Sequence, residues 1–66
     1  MNNGIKVERA RHNMSQSDLA DKLGVSRQTI YAIENKKFVP STVLALKLAL
    51  IFDVRVEELF QLEDSD

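Results

Sequence analysis

The 66-residue chain is predicted to be all-α, built from five short helices. Two observations carry that prediction. Apolar residues recur at spacings of three and four, while the period-two alternation of a half-buried strand is absent, so strands are expected only at the ends. Helix-stopping punctuation is sparse, with two glycines and one proline, and serines stand where helices should begin.

Each element follows in order. A first helix spans about residues 5–12, with Asn3 as its expected N-cap. The second opens on Ser15-Gln16-Ser17-Asp18, where the Ser15 hydroxyl can accept from the Asp18 backbone N–H. Asp18 stands where a capping box usually carries Glu or Gln. Leu19, Ala20 and Leu23 form its apolar face, and Gly24 ends it in a left-handed conformation that costs glycine little. Ser26 caps the third helix, whose buried stripe is Ile30 and Ile33. A loop from Asn35 to Pro40 leads to Ser41, the cap of a fourth helix over about residues 42–52. Asp53-Val54-Arg55 turns the chain into a short fifth helix, about 56–60, with Glu57 and Glu58 near its positive end. The acidic residues Glu63-Asp64-Ser65-Asp66 are expected to fray.

Composition removes whole classes of function. The chain has 44% hydrophobic and 29% charged residues, the balance of a folded domain, and it is read as one domain over 1–66. With no cysteine there is no disulfide, no Cys-based zinc site and no thiol redox sensor. His12 is the only histidine, which removes multi-His metal sites and leaves a residue expected on a solvated face. Asp18 and Asp21 are read as surface charge. No glycine-rich phosphate loop and no nucleophile beside a base is present, so no enzyme, metal or cofactor is expected. Neither longest apolar run, 43–46 or 48–52, approaches the roughly 20 residues of a membrane span, and Met1-Asn2-Asn3-Gly4 does not open a signal peptide. The expectation is a cytoplasmic protein. Its net charge of −1 hides an asymmetry: residues 1–40 carry seven Lys/Arg against four Asp/Glu, and residues 41–66 carry two against six. A basic front half suits nucleic acid as a partner.

Residues 16–35 carry the most information. Two helices flank a turn at Gly24-Val25-Ser26. Ala20 is small where they should cross closely, and Leu19, Leu23, Val25, Ile30 and Ile33 are apolar. That combination defines a helix-turn-helix, whose second helix can lie in the DNA major groove. The segments 16–20, 24–30 and 32–35 resemble the DNA-binding domain of the phage Cro and CI repressors. The chain is more particularly similar to the short regulators of the xenobiotic-response-element type, through Pro40-Ser41, Ala45-Leu46-Lys47 and Val56-Glu57-Glu58-Leu59-Phe60. The resemblance implies a compact five-helix repressor-like domain that binds an operator as a dimer and controls transcription. Two positions depart from the pattern: Glu8 stands where the family is often apolar, and Lys36 where many members have Gly.

The resemblance assigns roles residue by residue. Arg27, Gln28, Thr29 and Ala32 face bases. Arg can bond guanine O6 and N7 together, Gln the corresponding atoms of adenine, and the Ala32 methyl can meet a thymine methyl. Tyr31 either reaches a sugar-phosphate strand through its hydroxyl or packs on the loop as a rim residue. Gln16 opens the second helix, where backbone N–H groups and the side-chain amide can hold a phosphate. Asn35, Lys36 and Lys37 form a second phosphate clamp. Arg9 and Glu34 are implied to be a partly buried, bidentate and structural ion pair.

The fourth helix is apolar on two sides. Leu44, Ala45, Leu48, Ala49 and Phe52 make the core stripe, and Val43, Leu46 and Leu50 make another. The second stripe is covered either by the fifth helix, with Leu59 and Phe60, or by another subunit, with Phe60 and Leu62 adding to the interface. The expected function is sequence-specific double-stranded DNA binding by a homodimeric regulator, a repressor, without a small-molecule effector. The alternatives are a protein-interaction module, such as the antitoxin of a toxin–antitoxin pair, using the acidic back half as its surface, or a scaffold that has lost DNA binding.

Overall fold

The computed structural model describes residues 1–66 and contains five helices with one small sheet. In chain order these are β1 (Asn2–Asn3), α1 (Ile5–Arg11), α2 (Gln16–Leu23), α3 (Arg27–Glu34), α4 (Thr42–Phe52), α5 (Val56–Leu59) and β2 (Phe60–Gln61). The two strands pair antiparallel, Asn2 opposite Gln61 and Asn3 opposite Phe60, and the Gly4 N–H donates to the Leu59 carbonyl at 2.9 Å. The two ends of the chain are thereby stapled together.

The serine caps form as the sequence predicts. Ser15, Ser26 and Ser41 accept from the backbone N–H groups of Asp18, Thr29 and Leu44. The Asp18 carboxylate also completes the reciprocal half of the box, accepting from the Ser15 N–H at 2.9 Å. The first helix differs: it ends at Arg11, with His12 as its C-cap, and Gly4 occupies the N-cap position. Asn3 instead bridges elements. Its Oδ1 accepts from the Ile5 N–H at 3.3 Å while its Nδ2 donates to the Ile33 carbonyl at the end of α3.

Four helices close alike. The left-handed residues Asn13, Gly24, Lys36 and Asp53 follow α1, α2, α3 and α4. Beyond each, an N–H bonds back five residues: Met14 to the Arg9 carbonyl, Val25 to Ala20, Lys37 to Ala32 and Val54 to Ala49. This closure satisfies carbonyls that a helix end would leave bare. Only one of the four positions is glycine.

The core gathers all five helices and β2. Ile5, Leu19, Ala20, Leu23, Ile30, Ile33, Leu48, Phe52, Leu59 and Phe60 form one buried cluster. Leu44 and Ala45 pack against it half-buried. Two expectations are corrected here. Phe60 is 8% exposed, so it fills its own chain's core and is not available to an interface. It follows α5 in extended conformation, which turns it inward beside Leu59. Residues 63–66, expected to fray, are instead drawn into a hydrogen-bonded turn. The Glu63 N–H donates to Asp66 Oδ2 at 2.8 Å, the Asp66 N–H donates to the Glu63 carbonyl, and Asp66 pairs with the Met1 ammonium at 3.1 Å.

Candidate nucleic-acid interface

Helices α2 and α3 form the most closely associated pair in the fold, with Ala20 buried and the Gly24 turn between them. Ile30 and Ile33 are fully buried, which fixes the rotation of α3 about its axis. The opposite side of α3 therefore faces outward. Arg27 and Gln28 are exposed, Thr29 and Ala32 half-buried, and Tyr31 exposed. No hydrogen bond or ion pair within the chain engages the Arg27 or Gln28 side chain, so their donors are free for a ligand. Thr29 is partly spent: its hydroxyl lies 3.1 Å from that of Ser26, inside the cap.

The far end of α3 is fixed by charge. Arg9 Nε donates to Glu34 Oε2 at 2.6 Å, Arg9 Nη2 donates to Glu34 Oε1 at 3.1 Å, and Arg9 Nη1 donates to the Met14 carbonyl at 3.0 Å. Gln16 Nε2 donates to the same Glu34 Oε1 at 3.3 Å. One carboxylate thus joins α1, α2 and α3. Its side chain is 6% exposed and that of Arg9 is 15% exposed. The Glu34 hydrogen bonds hold the Arg9 pKa above its ordinary value, against the opposing pull of desolvation. The two part-buried side chains satisfy each other with two hydrogen bonds, and no buried polar atom is left without a partner.

This network changes the picture of the phosphate contacts. Gln16 is expected to offer its amide to phosphate, but that amide is already committed through one N–H to Glu34. Asn35 Nδ2 donates to the Tyr31 carbonyl at 2.9 Å, capping α3. Lys36 Nζ donates to Glu63 Oε1 at 2.7 Å. Of the expected clamp 35–37, only Lys37 presents an exposed ammonium outside any ion pair. The left-handed φ of Lys36, 61°, also explains why glycine suits that position.

Sequence reasoning passed over Lys6. It lines an open concavity together with Gln16, Arg27, Tyr31 and Asn35, above the Arg9–Glu34 pair. The signal was available: Lys6 lies three residues before Arg9, hence on the same side of α1. At the departing position Glu8, the carboxylate pairs with Arg11 at 3.1 Å. His12 is exposed, its ring centroid 5.4 Å from that of Phe52.

α5 packs on α4 but does not cover the second stripe. Val43, Leu46 and Leu50 remain 63%, 50% and 81% exposed, and Leu62 is 80% exposed. Phe38 and Val39, which the sequence reading did not single out, add exposed apolar surface just before α4. No helix is long and apolar enough to cross a membrane.

A buried-backed α3 with unpaired polar side chains along its outer edge, seated on α2 through a tight turn, is the architecture of a DNA-reading helix pair. A helix-turn-helix family model matches residues 5–59. The chain is 54% identical over 66 residues to an uncharacterized HTH-type transcriptional regulator of Methanocaldococcus jannaschii, with both chains covered completely. It is 44% identical to the uncharacterized HTH-type transcriptional regulator YgzD of Bacillus subtilis, again over the whole of both chains. A third such regulator, from Archaeoglobus fulgidus, is 42% identical over all of this chain and 94% of its own. The chain belongs to the Cro/CI-type helix-turn-helix family, a class of DNA-binding regulators and not of enzymes.

Proposed function

We propose that the chain is a sequence-specific, double-stranded DNA-binding transcriptional repressor that works as a homodimer in the cytoplasm. The observation that carries this reading is the pairing of free Arg27 and Gln28 side chains with a helix whose other face is buried and whose far end is clamped. Free donors on a fixed helix meet base edges without a large loss of conformational freedom. Arg27, Gln28, Thr29 and Ala32 read bases. Tyr31, Lys37 and Lys6 meet the sugar-phosphate strands, joined by Gln16, Asn35 and Lys36 through the capacity their internal contacts leave.

The second subunit covers Val43, Leu46, Leu50 and Leu62, which leave apolar surface unpartnered on this side. Two α3 helices would then enter successive major-groove faces of a pseudo-palindromic operator, roughly 34 Å apart. Repression follows from occlusion of a promoter, with no effector required. The rival reading, an acidic surface for a partner protein, is less favoured. Glu58, Glu63 and Asp66 are engaged with Arg55, Lys36 and Met1 of the same chain.

Selection from a pool of random duplexes by gel shift tests the proposal. The expected result is enrichment of an inverted repeat. A pool that emerges without any consensus would contradict sequence-specific reading.

A further inference from the structure

The contact between Lys36 and Glu63 joins the exit of α3 to the C-terminal turn across 27 residues. The Lys36 Nζ to Glu63 Oε1 distance is 2.7 Å, the shortest of the exposed ion pairs. The backbone that carries Lys36 is fixed. It is held in the left-handed closure of α3, with the Lys36 N–H donating to the Ile33 carbonyl and that of Lys37 to Ala32. Glu63 is also fixed, because its backbone N–H donates to Asp66 Oδ2 and its carbonyl accepts from the Asp66 N–H. The Lys36 hydrogen bond and charge lower the Glu63 pKa from its ordinary value.

A carboxylate and a phosphodiester are alternative anionic acceptors for one ammonium. Lys36 cannot give a backbone phosphate its full charge while Glu63 neutralises it. Resting on the DNA-binding reading above, we propose that the turn formed by residues 63–66 is a built-in competitor. It occupies Lys36 in the free protein and is displaced when a DNA phosphate takes its place. Because a phosphate contact carries no sequence information, the competition weakens operator and random DNA by the same factor. It thereby lowers overall affinity for DNA without changing base choice. The pair is exposed, so added salt screens it and the effect fades with ionic strength.

The test uses fluorescence anisotropy of a short labelled duplex of random sequence, titrated with the full chain. Glu63→Gln removes the competing charge. Asp64→Asn makes the same change in net charge at an exposed residue whose carboxylate takes part in no hydrogen bond or ion pair. Glu63→Ala serves as a second variant, and a thermal melt checks that each protein folds. Glu63→Gln should bind about two- to fivefold more tightly per protomer than the wild type at low salt. Asp64→Asn should gain less. In a Lys36→Ala background Glu63→Gln should gain no more than Asp64→Asn does. Equal gains from Glu63→Gln and Asp64→Asn, or an undiminished gain without Lys36, would overturn the competition while leaving DNA binding intact. Failure of every variant and of the wild type to bind any duplex would overturn the DNA-binding reading, and the competition with it.

Discussion

The two ends of α3 are built on opposite principles. At its start, the side chains of Arg27 and Gln28 are exposed and take part in no hydrogen bond or ion pair. At its end, Glu34 is nearly buried and takes hydrogen bonds from Arg9 and Gln16. The free end can choose a partner because the fixed end has no choice. A reading helix needs both: side chains that are unsatisfied until DNA arrives, on a backbone that does not move when it does.

The largest expected effect comes from breaking the fixed end. Arg9→Met or Glu34→Leu alone leaves an uncompensated buried charge and should cost about 3–5 kcal/mol. The double variant should recover much of that loss, and a thermodynamic cycle from urea unfolding at one protein concentration reads the coupling. Strictly additive losses would show that the two side chains act independently.

A second contrast lies on α4, between Leu48, fully buried, and Leu50, 81% exposed. Leu48→Ala should cost about 2–5 kcal/mol of stability through the cavity it leaves. Leu50→Glu should leave the fold of one subunit intact and abolish association, since a charge buried against apolar surface costs several kcal/mol. Sedimentation at about 100 μM, where a dimer of useful strength persists, separates the two effects. A wild type that sediments as a monomer there would remove the dimer from the account.

Smaller effects sharpen the view of the helix ends. Gly24 and Lys36 hold the same left-handed role at φ 70° and 61°. A Cβ at Gly24 meets no atom within 4 Å, so Gly24→Ala tests backbone strain alone and should cost about 1 kcal/mol. Lys36→Gly also gives up the ion pair to Glu63, so in a Glu63→Gln background it should move stability the other way by about 0.5–1 kcal/mol, in chemical denaturation of the same kind.

The least effect concerns the capping box of α2. The Ser15 backbone N–H, helped by its hydroxyl, holds the Asp18 carboxyl below the usual aspartate range. A carboxyl depressed in the folded state contributes stability above its unfolded pKa and loses it as pH falls through the folded one. Thermal melts should therefore show a small acid-side loss in the wild type that Asp18→Asn lacks. Identical acid limbs would mean that the box does not hold the charge.

The same contrast between free and fixed groups governs how much was legible in the sequence. α2, α3 and α4 were readable because serine caps and apolar spacing are local signals. The outward edge of α3 followed from the position of Ile30 and Ile33, and its assignment to bases only from resemblance. The Arg9–Glu34 pair followed only from resemblance, because no local pattern marks an ion pair 25 residues apart. For the same reason, the commitments of Gln16 to Glu34 and of Lys36 to Glu63 were invisible. Left-handed closures at Asn13 and Asp53 escaped notice because only glycine advertises that conformation. Phe60 was misplaced because the backbone leaves the helix at Leu59, so two adjacent apolar residues both point inward.

The account stands on Gln28 as a reader of bases at the free end of a fixed helix. Once selection has supplied an operator, the direct measurement is the affinity of Gln28→Ala for that operator and for a random duplex at one salt concentration. Binding to the operator should weaken by about 1–3 kcal/mol per half-site, with random-duplex affinity nearly unchanged and the melt of the variant close to that of the wild type. Equal weakening on both duplexes in a folded variant would contradict the central claim.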